Sequence, residues 1–453
     1  MRARLLLAAL AATGVAAVAA CSSASGQGEG ATPPAAASPV AHPPGARSTT
    51  LLVPASEAGG ALSTPRTLTV PAGWTIRVWA RIPDARMEAW TPDGDLLVSS
   101  PGGGVVDELR PSAAGTATVT TVLSHLTNPQ GLAFAKLDGS WVLYVAESNE
   151  IDRYPWGPGG ISGPRTVIAG GLPDLDPNGD DVHRAKDVTV TADGTVYFNV
   201  GSSSNANPDD RTMSPQRAVI MAVQPDGSDL RVVERGVRNG EGLAVAPDGS
   251  VWTAVNERDN IPYPSHDAYA GYSDAFAQVI QAYVNNHPPD EVVPVTAGRD
   301  LGWPYCDPDQ DDNKPVGSLA DVPLVANAVT NPDGRALDCA TLPPIEVGLP
   351  AHSAPLGMSF LEGSKIPAPW SGGAAVAVHG SWDRHPPQAP AVLWLAWNAS
   401  KDTLEPAVAL VSGFENADGS FWGRPVDAVP GPDGALYVSD DSAGAIYRLV
   451  PAS

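Results

Sequence analysis

A chain of 453 residues exceeds what one ordinary core organises, so several domains or one repeat architecture is expected. Gly and Pro contribute 46 residues each, roughly twice ordinary usage, which predicts many turns and few long helices. A formal net charge of −23 with no cluster of Lys or Arg argues against a nucleic-acid partner, because phosphate binding needs concentrated positive charge, and leaves solubility as the plain reading of the acidity.

Residues 1–20 read as an export segment. Arg2 and Arg4 form its charged start, and the apolar run from Leu5 to Ala20 is too short for a comfortable membrane span. It ends Val18-Ala19-Ala20-Cys21-Ser22, the pattern of a bacterial lipobox, in which Cys21 is acylated and becomes the mature N-terminus. Ordinary secretory cleavage nearby is the alternative. Two acyl chains anchor a protein without a transmembrane helix, so the expected place is outside the cytoplasm, on the bacterial cell membrane. Residues 21–65, rich in Ser, Ala, Pro and Gly, bury too little apolar surface to order themselves and read as a disordered tether. The folded domain is expected over 66–453.

From there a strand, an Asp-Gly turn and a second strand recur. Thr91-Pro92-Asp93-Gly94 leads into Leu96-Leu97-Val98. Further copies centre on Asp138-Gly139, Asp193-Gly194 and Asp248-Gly249. A degenerate fifth runs Leu356–Phe360 and Ala374–Val378, and a sixth Val426–Val429, Asp433-Gly434 and Ala435–Val438. Asp-Gly between two β-rich runs is a strong hairpin signal. Small antiparallel sheets hide their edges when they close into a ring, so an all-β, six-bladed β-propeller is predicted. The alternating strands Trp74–Ala80 and Ala445–Val450 are expected to share the blade that closes the ring.

The turn glycines Gly94, Gly139, Gly194 and Gly249 are 45, 55 and 55 residues apart, but the next, Gly363, follows after 114. One unit therefore carries a long insertion, roughly 262–350. It holds Cys306 and Cys339, which in an exported protein most simply form a disulfide; two free buried thiols are the alternative.

Few residues suggest chemistry. His183 precedes an innermost strand and is placed to take a proton from a hydroxyl in the central well; a structural histidine is the alternative. Arg238, Arg384 and Arg424 lie within two residues of Gly, Asn or Pro near strand starts, where arginines converging on a well suit a ligand with carboxylates. Asp174–Gly179 begins like a calcium loop, but its twelfth position is Ala185; it and Asp307–Asp311 read as solvated acidic loops.

Gly171-Leu172-Pro173, His183, Asp193–Tyr197, Arg238-Asn239-Gly240-Glu241-Gly242-Leu243, Asp290-Glu291 and Gly302-Trp303-Pro304 together resemble the glucose/sorbosone dehydrogenase family. The sorbosone-like branch is the more similar, through His352–Gly357, His379-Gly380-Ser381-Trp382-Asp383-Arg384 and Gly423-Arg424-Pro425-Val426. The resemblance runs from about Thr67 to Leu449. It implies a sugar or sugar-aldehyde dehydrogenase with pyrroloquinoline quinone (PQQ) and Ca2+. By that resemblance His183 is the base at the substrate C1 hydroxyl as hydride passes to the quinone. Arg238, Asn239, Glu241, Arg424 and a substituting Arg384 contact the cofactor. Asp259 and Asn260 lie in the metal-binding turn.

The sequence departs from the glucose enzymes in places. Gly201-Ser202 replaces Gly-Asp, which removes the acid that orients the base unless Asp180 or Asp181 supplies it. The calcium turn reads Glu257-Arg258-Asp259-Asn260, and Val426 replaces a second cofactor arginine. A calcium-dependent lactonase on a similar propeller and a non-catalytic binding propeller are the rival readings.

Overall fold

The computed structural model describes residues 40–174, 183–310 and 319–452. The expected export segment, Cys21, Asp180 and Asp181 lie outside them. Each repeat folds as strand, tight turn and strand. At the turns Gly94, Gly139, Gly194, Gly249, Gly363 and Gly434 take φ between 73° and 92°, a backbone that side chains other than hydrogen rarely permit.

The first strand of each unit lies innermost. Glu88–Trp90, Leu132–Leu137, Val188–Val190, Ala244–Val245, Pro355–Phe360 and Pro425–Pro430 each touch the next, and the last meets the first. The result is an all-β propeller. Six repeats do not make six self-contained blades, however. Five sheets take their core strands from one passage of chain each. The remaining sheet is a composite of Pro425–Pro430, Leu436–Asp440, Ala445–Val450 and the N-terminal Thr75–Arg81. Val450 pairs with Thr75 and Ala445 with Arg81, so both ends of the domain close the ring. The second strands Leu96–Ser100, Val251–Val255 and Gly373–Val378 are buried at every residue, because neighbouring sheets cover both faces.

Buried carboxylates stitch neighbouring strands together. Asp187 accepts from the backbone N–H of Val188 (2.8 Å) and from that of Leu243 in the next sheet (2.7 Å). Asp427 does the same with Ala428 (2.8 Å) and Glu88 (3.0 Å). Asp290 accepts from Glu257 (2.7 Å) and Ala354 (2.8 Å). Burial pushes each of these three carboxyls up to about 7. A Cβ at Gly357 would come within 2.7 Å of the Asp427 Cα, so only glycine lets that strand approach.

Two boundaries differ from expectation. The stretch read as tether is structured before residue 65: Arg47–Thr50 pairs with Thr67–Val70, which lies against Val408–Ser412. Backbone pairing orders it where composition alone did not. The insertion over 262–350 also contains blade strands. Asp290–Pro294 and Ile345–Leu349 are part of the fourth sheet, beside Val251–Val255, and divide the insertion into two excursions. The second carries the disulfide Cys306–Cys339. The acidic stretch beginning at Asp307 is not simply solvated: Asp307 is 2% exposed and accepts from Asn327 Nδ2 at 2.6 Å.

Candidate functional site

In a propeller hairpin the approach to the innermost strand and the exit from the second strand share one end of the sheet. That end gathers most of the polar buried groups. At its centre is Arg86, ahead of the strand Glu88–Trp90. Its Nη2 meets Glu241 Oε2 at 3.0 Å, Nη1 meets Asp441 Oδ2 at 3.1 Å, and Nε donates to Gln130 Oε1 at 2.9 Å. Asp441 Oδ1 lies 2.9 Å from His379 Nε2. These residues come from five different sheets, so they meet only because they surround the ring axis. Burial alone would raise the Asp441 carboxyl, but His379 and Arg86 against it hold it down at about 2. Sequence reasoning singled out Glu241 and missed Arg86, Gln130 and Asp441. The signal was available: Arg86, Gln130, Arg238 and Arg424 all occupy the approach to an innermost strand.

His183 approaches the innermost strand Val188–Val190. Its Nδ1 lies 2.8 Å from Ser202 Oγ, which donates to the Ser204 carbonyl at 2.8 Å. Ser202 therefore accepts from Nδ1–H, and the basic lone pair falls on Nε2. Burial, then the positive charge of Arg238, lowers the His183 pKa well below the usual histidine range. Asn239 is beside it: a Cβ on Gly201 would meet both His183 Cβ (2.6 Å) and Asn239 Oδ1 (2.9 Å). Asn239 Nδ2 donates to Glu241 Oε1 at 3.1 Å, while its Oδ1 is buried without a hydrogen-bond partner among the described residues. The structure thus brings together His183, Arg238, Asn239 and Glu241.

The other expected residues divide. Arg424 directs Nε to the His379 carbonyl (2.8 Å) and Nη2 to the Gly380 carbonyl (3.2 Å), which leaves Nη1 without a partner among the described residues. Arg384 is buried and spends Nη1 on Gln388 Oε1 (3.0 Å) and the Ala351 carbonyl (3.5 Å), holding a loop. Val426 is core, packed with Met87 and Leu356. Arg238 is 1% exposed, and its donors are committed to the carbonyls of Asn205, Asn256 and Glu257 and to Asn205 Oδ1 and Asp259 Oδ2. It does not extend a free fork into the well; it is the internal cation of the turn that follows Val251–Val255. Asn260 contributes its backbone N–H, which donates to Asp383 Oδ2 at 3.1 Å. Asp259, His352 and Asp383 converge, with ligand atoms all within 4.8 Å of one another. Neither His352 nor Asp383 was assigned to the metal from the sequence, although both lie in the motifs that carry the resemblance. Beside the axis a cleft of about 520 Å³ is lined by Arg86, Thr127, Asn128, Gln130 and Arg184, among others.

The family described as TrAA12-like matches residues 68–452. A solved structure of a Trichoderma reesei enzyme of Carbohydrate-Active Enzymes family AA12 is 19% identical, with a TM-score of 0.64 over 85% of this chain and 98% of that one. The holo form of the PQQ domain of pyranose dehydrogenase from Coprinopsis cinerea is 20% identical, with a TM-score of 0.66 over 88% and 100%. The PQQ-bound aldose sugar dehydrogenase of Streptomyces coelicolor is 15% identical, with a TM-score of 0.50 over 84% and 99%. At these identities the likeness establishes the fold. An uncharacterised protein of Borreliella burgdorferi is 26% identical over 277 residues, which span 61% of this chain and 62% of that relative's length.

Proposed function

The chain belongs to the TrAA12-like family, and from that premise we propose that it is a sugar oxidoreductase that uses PQQ. The observation that carries the reading is His183, an imidazole held by Ser202 with its lone pair on Nε2 and its pKa well below the usual range. A neutral, half-buried, oriented imidazole suits removal of a hydroxyl proton as the carbon bearing it is oxidised. Solved relatives of the same fold include PQQ-bound forms acting on aldose sugars or pyranoses, which supports the same substrate class here. The sorbosone-like motifs add a sugar aldehyde as a substrate to test.

The residues present fit a quinone with carboxylates. Arg424 keeps Nη1 for a carboxylate, and the cleft beside Arg86 and Arg184 offers room. When bound, the quinone supplies a two-electron acceptor for the substrate hydride. His183 takes the hydroxyl proton at Nε2. Ser202 fixes the imidazole ring, and Asn239 Oδ1 is an acceptor for a donor entering the site. Arg86 ties Glu241 to Asp441 and fixes the floor. A calcium ion held by the backbone carbonyls of the turn after Val255 does not fit. Those of Asn256 and Glu257 accept from Arg238, and that of Asp259 accepts from Asn205 Nδ2. We further propose export and anchoring through Cys21.

Reconstitution with PQQ tests the reading. Uptake is followed by absorbance, and turnover by dye-linked oxidation of aldoses and sugar aldehydes. His183→Ala retains quinone uptake and loses turnover. A parent protein that takes up no quinone would reject the proposal, and turnover of lactones without quinone would favour a hydrolase.

A further inference from the structure

Asp259, His352 and Asp383 sit on three loops at the site end of the ring, after the strands Val251–Val255, Ile345–Leu349 and Gly373–Val378 respectively. His352 and Asp383 are 4% and 5% exposed. His352 Nε2 faces two backbone carbonyls, Val284 at 2.7 Å and His287 at 2.9 Å. Carbonyls only accept, so Nε2 carries the ring proton and donates. Nδ1 then presents its lone pair to Asp383 Oδ1 at 3.5 Å and Asp259 Oδ1 at 4.0 Å. Three acceptors converge with no donor between them.

Each carboxylate has its second oxygen secured. Asp259 Oδ2 accepts from Arg238 Nη2 at 3.2 Å, and Asp383 Oδ2 accepts from the Asn260 backbone N–H at 3.1 Å. Asp383 Oδ1 is buried without a hydrogen-bond partner among the described residues. This is the arrangement that second-shell bonds impose on metal ligands: the far side of each group is held, and the near side aims at one point. A direct hydrogen bond between Nδ1 and Asp383 would be shorter than 3.5 Å. An ion with bonds of about 2.0–2.2 Å separates its ligands by roughly 3–3.6 Å. The 3.5 Å to Asp383 already falls there, and the 4.0 Å to Asp259 closes to it by a small shift of that partly exposed side chain.

We propose that Asp259 Oδ1, Asp383 Oδ1 and His352 Nδ1 bind one divalent first-row transition ion, with Zn2+ as the ion to test. Two carboxylate oxygens and one imidazole nitrogen suit such an ion, whereas calcium takes oxygen ligands alone. Arg238 links this site to His183: it bonds Asp259 and lowers the His183 pKa through its charge. The ion therefore sets the position of Asp259, and through it that of Arg238. The proposal stands apart from the quinone reading, and its test uses no quinone.

The full chain, stripped with a chelator, is titrated with Zn2+, Mn2+ and Ca2+ by calorimetry, and its melting temperature is measured with each ion. The parent binds one equivalent of Zn2+ more tightly than Ca2+, with a rise in melting temperature. Asp383→Asn keeps an oxygen for the Asn260 N–H and places an amide donor against the His352 lone pair. It loses Zn2+ affinity by at least a hundredfold while remaining folded in the absence of metal. His352→Gln, which retains an amide donor for the Val284 and His287 carbonyls, gives the same loss. No Zn2+ uptake by the parent, equal uptake by the variants, or preference for Ca2+ overturns the proposal. A parent that binds no ion while Asp383→Asn melts higher assigns the gap to a proton on His352.

Discussion

Nδ1 of His183 lies 2.8 Å from Oγ of Ser202, the residue that stands where the resembling glucose enzymes carry an acid. A hydroxyl that passes its own hydrogen to the Ser204 carbonyl fixes the same tautomer without adding a negative charge. Ser202→Ala should therefore lower kcat by roughly tenfold and leave quinone uptake unchanged. His183→Ala should cost about 10²–10⁴-fold, the usual worth of a positioned base. Steady-state kinetics alongside quinone titration checks both. Equal losses in the two variants would mean that Ser202 does more than orient the ring.

The same environment sets a pH profile. Burial first and Arg238 second lower the His183 pKa well below the ordinary histidine value. Protonation destroys the lone pair, so the base works above its depressed pKa and fails only below it. The acid limb of kcat should lie clearly below pH 6.5, the reference value for histidine. An acid limb centred at or above that value would remove His183 from the role.

Asp427 supplies a stability test. Burial raises its carboxyl to about 7, so between roughly pH 4 and 7 the folded state binds the proton that the unfolded state has released. Its stability contribution is complete below the unfolded pKa and is lost as the pH rises through 7. Asp427→Ala should shed the bonds from Ala428 and Glu88 and lower stability by about 1–3 kcal/mol. It should also flatten the dependence of the melting temperature on pH over that window. An unchanged slope would show that Asp427 titrates alike in both states.

The ring was legible in the sequence because Asp-Gly turns and β-rich runs are local signals. So was the pairing of Thr75–Arg81 with Ala445–Val450, since Thr75–Arg81 precedes the first repeat and the last repeat ends on a strand with one edge open. The limits of the insertion were not legible. Asp290–Pro294 and Ile345–Leu349 are separated by a disulfide-bearing excursion, and the Pro332-Asp333-Gly334 turn between them belongs to that excursion rather than to a hairpin joining the two strands. The site was half legible. Motif order singled out His183, Asn239 and Glu241, which the structure brings close together, and Arg424. Arg238 was assigned to the cofactor because a sequence shows that a guanidinium exists, not that neighbouring carbonyls have consumed its donors. Arg86 and Asp441, 355 residues apart, are adjacent only after closure.

The proposed anchor is tested at one atom. Cys21→Ser removes the acylation point and leaves the described fold untouched. The variant should appear in the soluble fraction, or accumulate with residues 1–20 uncleaved. Membrane association equal to that of the parent would exclude the anchor.

The disulfide gives the last prediction. Cys306 and Cys339 are 33 residues apart, so their bond removes loop entropy from the unfolded chain worth about 3–4 kcal/mol. Both sulfurs lie in the second excursion from the fourth sheet, which reaches the site through Trp303. Its Nε1 donates to the Asn205 carbonyl at 3.3 Å, and Arg211 Nη1 donates to the Trp303 carbonyl at 2.7 Å. Asn205 in turn accepts from Arg238. Breaking the bond should thus do more than lower the melting temperature. The double variant Cys306→Ser, Cys339→Ser should also let the acid limb of kcat move upward, as Arg238 loses its fixed place beside His183. Titration of unreduced, denatured parent should find neither thiol reactive. A double variant that melts lower but keeps the parental pH profile would confine the disulfide to stability and break the proposed link to the base.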